Sequence, residues 1–334
     1  MAHKINKYKY FGLKSFFIGG LVLLCLMAFK KESIFSANNE RSMKTKKAVL
    51  LYEIPAQLGE GAFWNHETGI LYWVDIEGRK LHLFDPQKKT DKSFPTPSRI
   101  GTVVPQNKDI AIVALENGIY KINTNNGALE LLSDVEADMT ENRFNDGKCD
   151  PNGNLWVGSM DLEQSKPNAR LYKVESSGKT TTMLEQVTIS NGIVWTKDKK
   201  TMYYIDTPTR KIRAFDFNPE NSTISNERVA VAVSESLGYP DGMAIDEHDN
   251  LWVGMWNGNS VLCFDPKTGK VIDKIEVPAH NVTSCAFGGK DLDLLYITTA
   301  SIDMTKEEIK QFPLAGSLFV AKPGVKGVKS SLFK

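Results

Sequence analysis

GILYWVDIEGRKLHLFDP (69–86) and KTMYYIDTPTRKIRAFDF (200–217) read in register: a strand, a short polar loop, a second strand and an Asp-marked turn. DNLWVGMWNGNSVLCFDP (249–266) and GNLWVGSM…ARLYKVES (153–176) follow the same plan, with weaker copies in DIAIVALENGIYKINT (109–124) and DLLYITTAS…GSLFVA (293–321). Each copy is one hairpin, because short β-rich runs bounded by Gly, Pro, Asn and Asp mark strands and turns. The copies start about 40–50 residues apart, and there are six. Hairpins recurring at that period specify four-stranded propeller blades rather than a sandwich or a solenoid. The expected fold is an all-β, six-bladed β-propeller over residues 46–334. VLLYEI (49–54) is expected to complete the last blade and close the ring. Only TKEEIKQF (305–312) suits a helix.

A further strand precedes each hairpin with a common phase: a leading residue, usually a Gly, then mostly apolar residues. The segments are EGAFW from Glu60, IGTVV from Ile100, DGKCD from Asp146, NGIVW from Asn191, DGMAI from Asp241 and SCAFG from Ser284. These are the inner strands, and their leading residues ring one mouth of the central channel. The glycines are expected to let backbone approach a ligand closely. A ring holding Glu60, Asp146, Asn191 and Asp241 is costly unless a cation compensates the charge. The donors are all oxygen, so a hard divalent cation suits them: Ca²⁺ first, then Mg²⁺ or Mn²⁺, with Zn²⁺ less favoured. The five histidines are expected in the N-terminal tail or in loops, away from the site. Asp75, Asp85, Asp206 and Asp265, at the hairpin ends, read instead as turn residues bonding their own backbone.

The chain has 334 residues and a formal net charge of +1, with Lys and Arg scattered, so nothing in it points to nucleic acid. Residues 1–45 differ. Lysines precede the apolar run FFIGGLVLLCLMAF (16–29), which Lys30 and Lys31 close. At about 14 residues the run is signal-peptide sized, short of the ~20 that span a bilayer. It implies export to the periplasm or the medium, or tethering to a membrane through 16–29; a true start at Met43 would leave the protein cytosolic. The three later cysteines, Cys149, Cys263 and Cys285, lie in apolar runs and read as buried free thiols.

GEGAFW (59–64), NRFNDGKCDPNGNLWVGSM (142–160), ISNGIVW (189–195), YPDGMAIDEHDNLWV (239–253) and TSCAFGGKDLDLLYIT (283–298) carry a resemblance to the SMP-30/gluconolactonase/regucalcin-like family. It runs from about residue 50 to the C-terminus, in blade order. The resemblance implies a metal site at the channel mouth, with Glu60, Asn191 and Asp241 holding the cation. It further implies Asp241 as the acid/base group and Arg143, Asn145 and Glu163 as substrate contacts. The phase of the strand points to Asp146, one residue after Asn145. Because adjacent strand residues face opposite ways, only one of the two is expected to face the channel, and the resemblance favours Asn145. Ala62 stands where the family usually has a proline. The implied activity is metal-dependent hydrolysis of sugar lactones to aldonic acids, a step of carbohydrate metabolism with a small-molecule partner. Two alternatives remain: an aryl ester or organophosphate hydrolase on the same site, or a calcium-binding propeller without catalysis. The sugar, the oligomeric state and any metal contact by Asn145 stay open.

Overall fold

The second strand of each blade reads as an unbroken apolar run, as in ILYWVD (70–75), IAIVAL (110–115) and LWVGSMD (155–161), because neighbouring blades cover both its faces. Outermost strands such as Thr90–Pro95 and Thr223–Ala232 meet solvent and are largely exposed. The computed structural model describes residues 45–334; the N-terminal segment, with Cys25, His3 and the run 16–29, lies outside the described residues. Six antiparallel sheets follow in chain order, each built outward from its inner strand. The inner strands are Gly59–Asn65, Ile100–Pro105, Asn142–Cys149, Ser190–Trp195, Tyr239–Ile245 and Asn281–Gly288, in blades 1 to 6.

Val49–Tyr52 pairs with Leu318–Ala321 as the outer strand of blade 6, so the start of the propeller closes the ring as its sequence suggests. Lys46–Lys47 adds a short parallel strand to the edge of blade 5. The expected helix forms over Lys306–Gln311, where Thr305 and Glu308 make a reciprocal capping box. Cys149, Cys263 and Cys285 are free and buried. Burial pushes the Cys285 thiol up to about 12.

His82 departs from expectation: it lies in the strand Lys80–Asp85, not in a loop. Its ring is buried, stacks on Trp73 with centroids 4.0 Å apart, and has Nδ1 2.6 Å from Asp91.

The C-terminal segment crosses the lower end of the propeller, opposite the leading residues. Val328 N–H donates to the Ile245 carbonyl, Phe333 N–H to Pro105 and Lys334 N–H to Gly153. Phe333 is 1% exposed, and removing a Phe side chain from water contributes ~1.5–3 kcal/mol. Thus the tail seals one mouth of the channel and leaves the other for the site.

Candidate active site

The upper ends of the inner strands do not keep a regular ladder. Pairing with the second strand slips between Glu60 and Phe63, Phe144 and Gly147, Ser190 and Ile193, Pro240 and Met243, and Val282 and Cys285. An extra residue of this kind re-aims side chains and leaves backbone unpaired, which suits a site at a rim. The glycines serve the blades rather than a ligand. A Cβ on Gly192 would lie 2.7 Å from the Asp241 carbonyl oxygen, and one on Gly242 would lie 2.6 Å from Ser284 Oγ. In blade 6 the slip places Thr283, not Ser284, in the register of Asp241. The Thr283 hydroxyl donates to the Gly59 carbonyl at 2.6 Å.

Glu60, Arg143, Asn145, Asn191 and Asp241 come together on one cavity of about 420 Å³ at this mouth. All five are buried. Asn191 Oδ1, Asp241 Oδ1 and Asp146 Oδ2 have no hydrogen-bond partner, although buried polar atoms are nearly always paired. Burial, reinforced by the charge of Asp146, pushes the Glu60 carboxyl up to about 8. Burial also raises Asp241 well above the usual carboxylate range, with the charges of Glu60 and Asp146 adding to it.

Asp146 shows why strand alternation misleads here. The register slip falls on Asn145 and Asp146. Asn145 lines the cavity, while the Asp146 charge acts on both Glu60 and Asp241 and so belongs to the same acidic cluster. Burial raises Asp146 as well, opposed by the Lys148 ammonium. Lys148 is itself buried and donates to the Met243 carbonyl.

Asn145 is held at both ends. Its Nδ2 donates to the Ser190 carbonyl at 2.7 Å, and its Oδ1 accepts from Arg143 Nη1 at 2.7 Å. Arg143 also donates to the Phe144 carbonyl, and burial lowers its guanidinium to about 10. Glu163 is exposed and does not line the cavity; its neighbour Gln164, from the same loop, does.

Several supporting residues escape a reading by motif. Thr207 Oγ1 accepts from Asn191 Nδ2 at 3.0 Å and donates to the Pro240 carbonyl at 2.8 Å, tying Asn191 to the residue before Asp241. Asp75 accepts from Leu58 N–H at 3.0 Å, and Asp206 from Ile189 N–H at 3.0 Å, bracing the entries to Glu60 and Asn191. Asp85 and Asp265 accept from Gln87 and Lys267 N–H within their own turns. The turn reading thus holds for Asp85, Asp265 and Asp75, which also accepts from Gly78 N–H; Asp206 departs from it, its carboxylate accepting only from Thr188 and Ile189 N–H at the entry to Asn191.

Among the described residues no three His, Cys, Asp or Glu side chains form a metal-binding group. The donors gathered here include an amide: the unpaired Asn191 Oδ1 sits with the Glu60 and Asp241 carboxylates, both of raised pKa. An oxygen-only set of this kind, short of positive charge, fits a hard divalent cation.

The sequence matches the SMP-30/Gluconolactonase/LRE-like region over residues 58–301. A Bacillus subtilis protein provisionally named sugar lactone lactonase YvrE is 42% identical over 276 residues, 82% of this chain and 94% of that one. Regucalcin of Xenopus laevis is 34% identical over 283 residues, 83% of this chain and 95% of that one. Among solved structures, a calcium-binding protein, regucalcin, from Agrobacterium tumefaciens superposes with a TM-score of 0.83 at 26% identity, covering 87% and 99% of the two chains.

Proposed function

We propose that this chain, which belongs to the SMP-30/gluconolactonase/LRE-like family, is a divalent-cation-dependent hydrolase that opens sugar lactones to aldonic acids. The observation that carries the reading is the gathering of an unpartnered Asn191 oxygen with the Glu60 and Asp241 carboxylates, both of raised pKa, on one cavity. Glu60, Asn191 and Asp241 would hold the cation, with calcium first in order from the donor type and from the names of the relatives. Arg143 donates into the Asn145 Oδ1 that a cation would need, so Asn145 is assigned to substrate. When bound, the cation supplies positive charge for the oxygen of a polarised ester carbonyl.

The chain's own residues do the rest. Asp241, ionised, accepts a proton from water as the water oxygen bonds the lactone carbonyl carbon. It returns that proton to the ring oxygen as the ring C–O bond breaks, leaving a hydroxy acid. The buried Arg143 guanidinium, with N–H groups beyond the two it shares with Phe144 and Asn145, stabilises the oxyanion and orients hydroxyls. Burial of the site strengthens both effects, because fixed charges act there through little water.

The test is pH-stat hydrolysis of glucono-, galactono- and xylono-lactones by chelator-stripped full-length protein, with Ca²⁺, Mg²⁺, Mn²⁺ or Zn²⁺ restored one at a time. Cation-restored turnover above the spontaneous rate is expected. Cation binding without turnover of any lactone would move the assignment to aryl esters or phosphotriesters, and then to a binding role. Export or tethering by the N-terminal segment is tested separately, by finding whether the chain fractionates outside the cytoplasm.

A further inference from the structure

The cavity has two unlike walls. Arg143, Asn145 and Gln164 reach it from blade 3. Across the ring, Ile302 arrives from the loop after the second strand of blade 6, with Leu58 beside it at the entry to blade 1. Leu58 bridges Ala300, and Ile302 N–H donates to the Gln57 carbonyl at 3.2 Å, so these two form one apolar surface. Trp256 packs against the same apolar cluster and extends the surface into blade 5.

Tyr239 completes this wall. It stands directly opposite Trp256 in the ladder of blade 5, so their side chains share one face of the sheet. Tyr239 is 38% exposed, unusual for so large a side chain among the described residues. The Arg210 guanidinium lies 3.8 Å from its ring centroid and is itself fixed by a 2.7 Å bond to the Gly238 carbonyl. A tyrosine clamped by a cation and left open to a cavity is preorganised to receive an apolar group.

The volume agrees. At about 420 Å³ the cavity falls in the range of roughly 300–1,000 Å³ that takes drug-sized ligands, more than one hydroxylated six-membered ring needs. A fully hydroxylated lactone would set polar groups against Leu58 and Ile302, which return no hydrogen bond; on this wall the Trp256 indole N–H and the Asp303 carboxylate could meet a hydroxyl.

Resting on the lactonase reading above, we propose that the preferred substrate is an amphipathic lactone: its ester faces the acidic floor and blade 3, and an apolar alkyl or aryl substituent on its ring lies against Tyr239, Trp256, Leu58 and Ile302. These four residues set specificity, and the chemical step stays with Asp241.

The test compares kcat/KM for δ-decalactone, which carries an alkyl chain, with that for δ-valerolactone, which does not, and for gluconolactone. The cation-loaded full chain is expected to favour δ-decalactone over both by at least tenfold. Trp256→Ala and Tyr239→Ala should each shrink the ratio of δ-decalactone to δ-valerolactone to within about threefold; the exposed Tyr239 gives a variant safe for folding should Trp256→Ala fail to fold. Equal or better use of gluconolactone or δ-valerolactone, with ratios the variants do not move, overturns this inference and leaves the lactonase reading intact. Were no lactone hydrolysed, the lactonase reading would fall. Calorimetric binding of δ-decanolactam against δ-valerolactam, inert amides of the same shapes, would then decide the wall. Tighter binding of the alkylated lactam by tenfold, lost in Trp256→Ala, supports it, and equal affinities overturn it.

Discussion

Asp146 lies within the inner strand of blade 3 and Asp150 just past its lower end, four residues on; Asp241 and Asp246 stand in the same relation in the next blade but one, five residues apart. All four are buried, yet their surroundings are unlike. Asp246 accepts from His248 N–H, Asn250 N–H, Asn250 Nδ2 and Trp252 Nε1, at 2.9 to 3.1 Å. Asp150 repeats the pattern with Asn152, Asn154 and Trp156. At the upper end Asp146 and Asp241 each keep an oxygen with no partner, and burial raises both above their ordinary range. Burial therefore does not mark the site. What marks it is several unsatisfied oxygens gathered at one mouth, where elsewhere they stand singly, as at Asp91 Oδ1; each buried acceptor left unpaired costs about 1–3 kcal/mol that nothing in the apo chain returns.

The largest expected effect breaks this comparison in two directions. Asp241→Asn should lower lactone turnover by about a thousandfold, the reach of a lost acid/base group, while the chain stays folded. Asp246→Ala should do the opposite. It strips four bonds from a sealed turn and costs roughly 3 kcal/mol or more of stability, while folded protein at low temperature keeps its turnover. Denaturant unfolding and initial rates on both variants read the contrast. Matching stability losses, with turnover retained in Asp241→Asn, would erase the distinction between the two ends.

The next effect is on pH. The Glu60 carboxyl, ordinarily near 4.5, sits at about 8 in the cation-free fold, so the folded state keeps a proton that the unfolded chain releases. Cation-free stability is thus full below about 4.5 and falls as pH rises to about 8, by an amount on the order of a few kcal/mol. Asp241 shifts in the same direction and steepens the fall. Melting temperatures should drop from pH 5 to pH 8 in chelator and recover with excess Ca²⁺; a flat profile in chelator would count against an acidic cluster awaiting a cation.

How far the sequence carries follows the same division. The hairpin repeat and the leading residues are legible because apolar alternation and turn residues are local properties, and a propeller forces them into phase. Three things were not legible. The register slip at Asn145–Asp146 turns two neighbouring side chains toward one cluster, where simple alternation allows only one. Thr207 acts through a hydroxyl that nothing in TPTRK distinguishes from a turn threonine. The tail KPGVKGVKSSLFK (322–334) seals the lower mouth through isolated backbone bonds rather than a paired strand, so it shows no alternation to read.

Thr207 gives the third test. In Thr207→Val the Asn191 amide loses its acceptor and the Pro240 carbonyl its donor, so the bond that fixes the orientation of the Asn191 amide is gone. Residues that orient ligands in this way are worth about tenfold or more in metal affinity. Calorimetric titration with Ca²⁺ should show about a tenfold loss, with turnover at saturating cation changed far less. Unchanged affinity would mean that Asn191 does not hold the ion.

The smallest expected effect separates two neighbours on the loop over the cavity. Glu163 is the residue that the family resemblance nominates, yet it is exposed, while Gln164 lines the cavity beside Met160 and Arg143. Gln164→Ala should raise KM by about threefold to tenfold, the worth of one neutral hydrogen bond, whereas Glu163→Gln should leave KM and kcat within about twofold. The two variants differ only in which side chain reaches the bound ring. If Glu163→Gln proves the costlier, the loop 162–168 rearranges over the substrate and swaps one side chain for the other. The polar wall of blade 3 would then be completed only on binding, unlike the preformed floor of Glu60, Asn191 and Asp241.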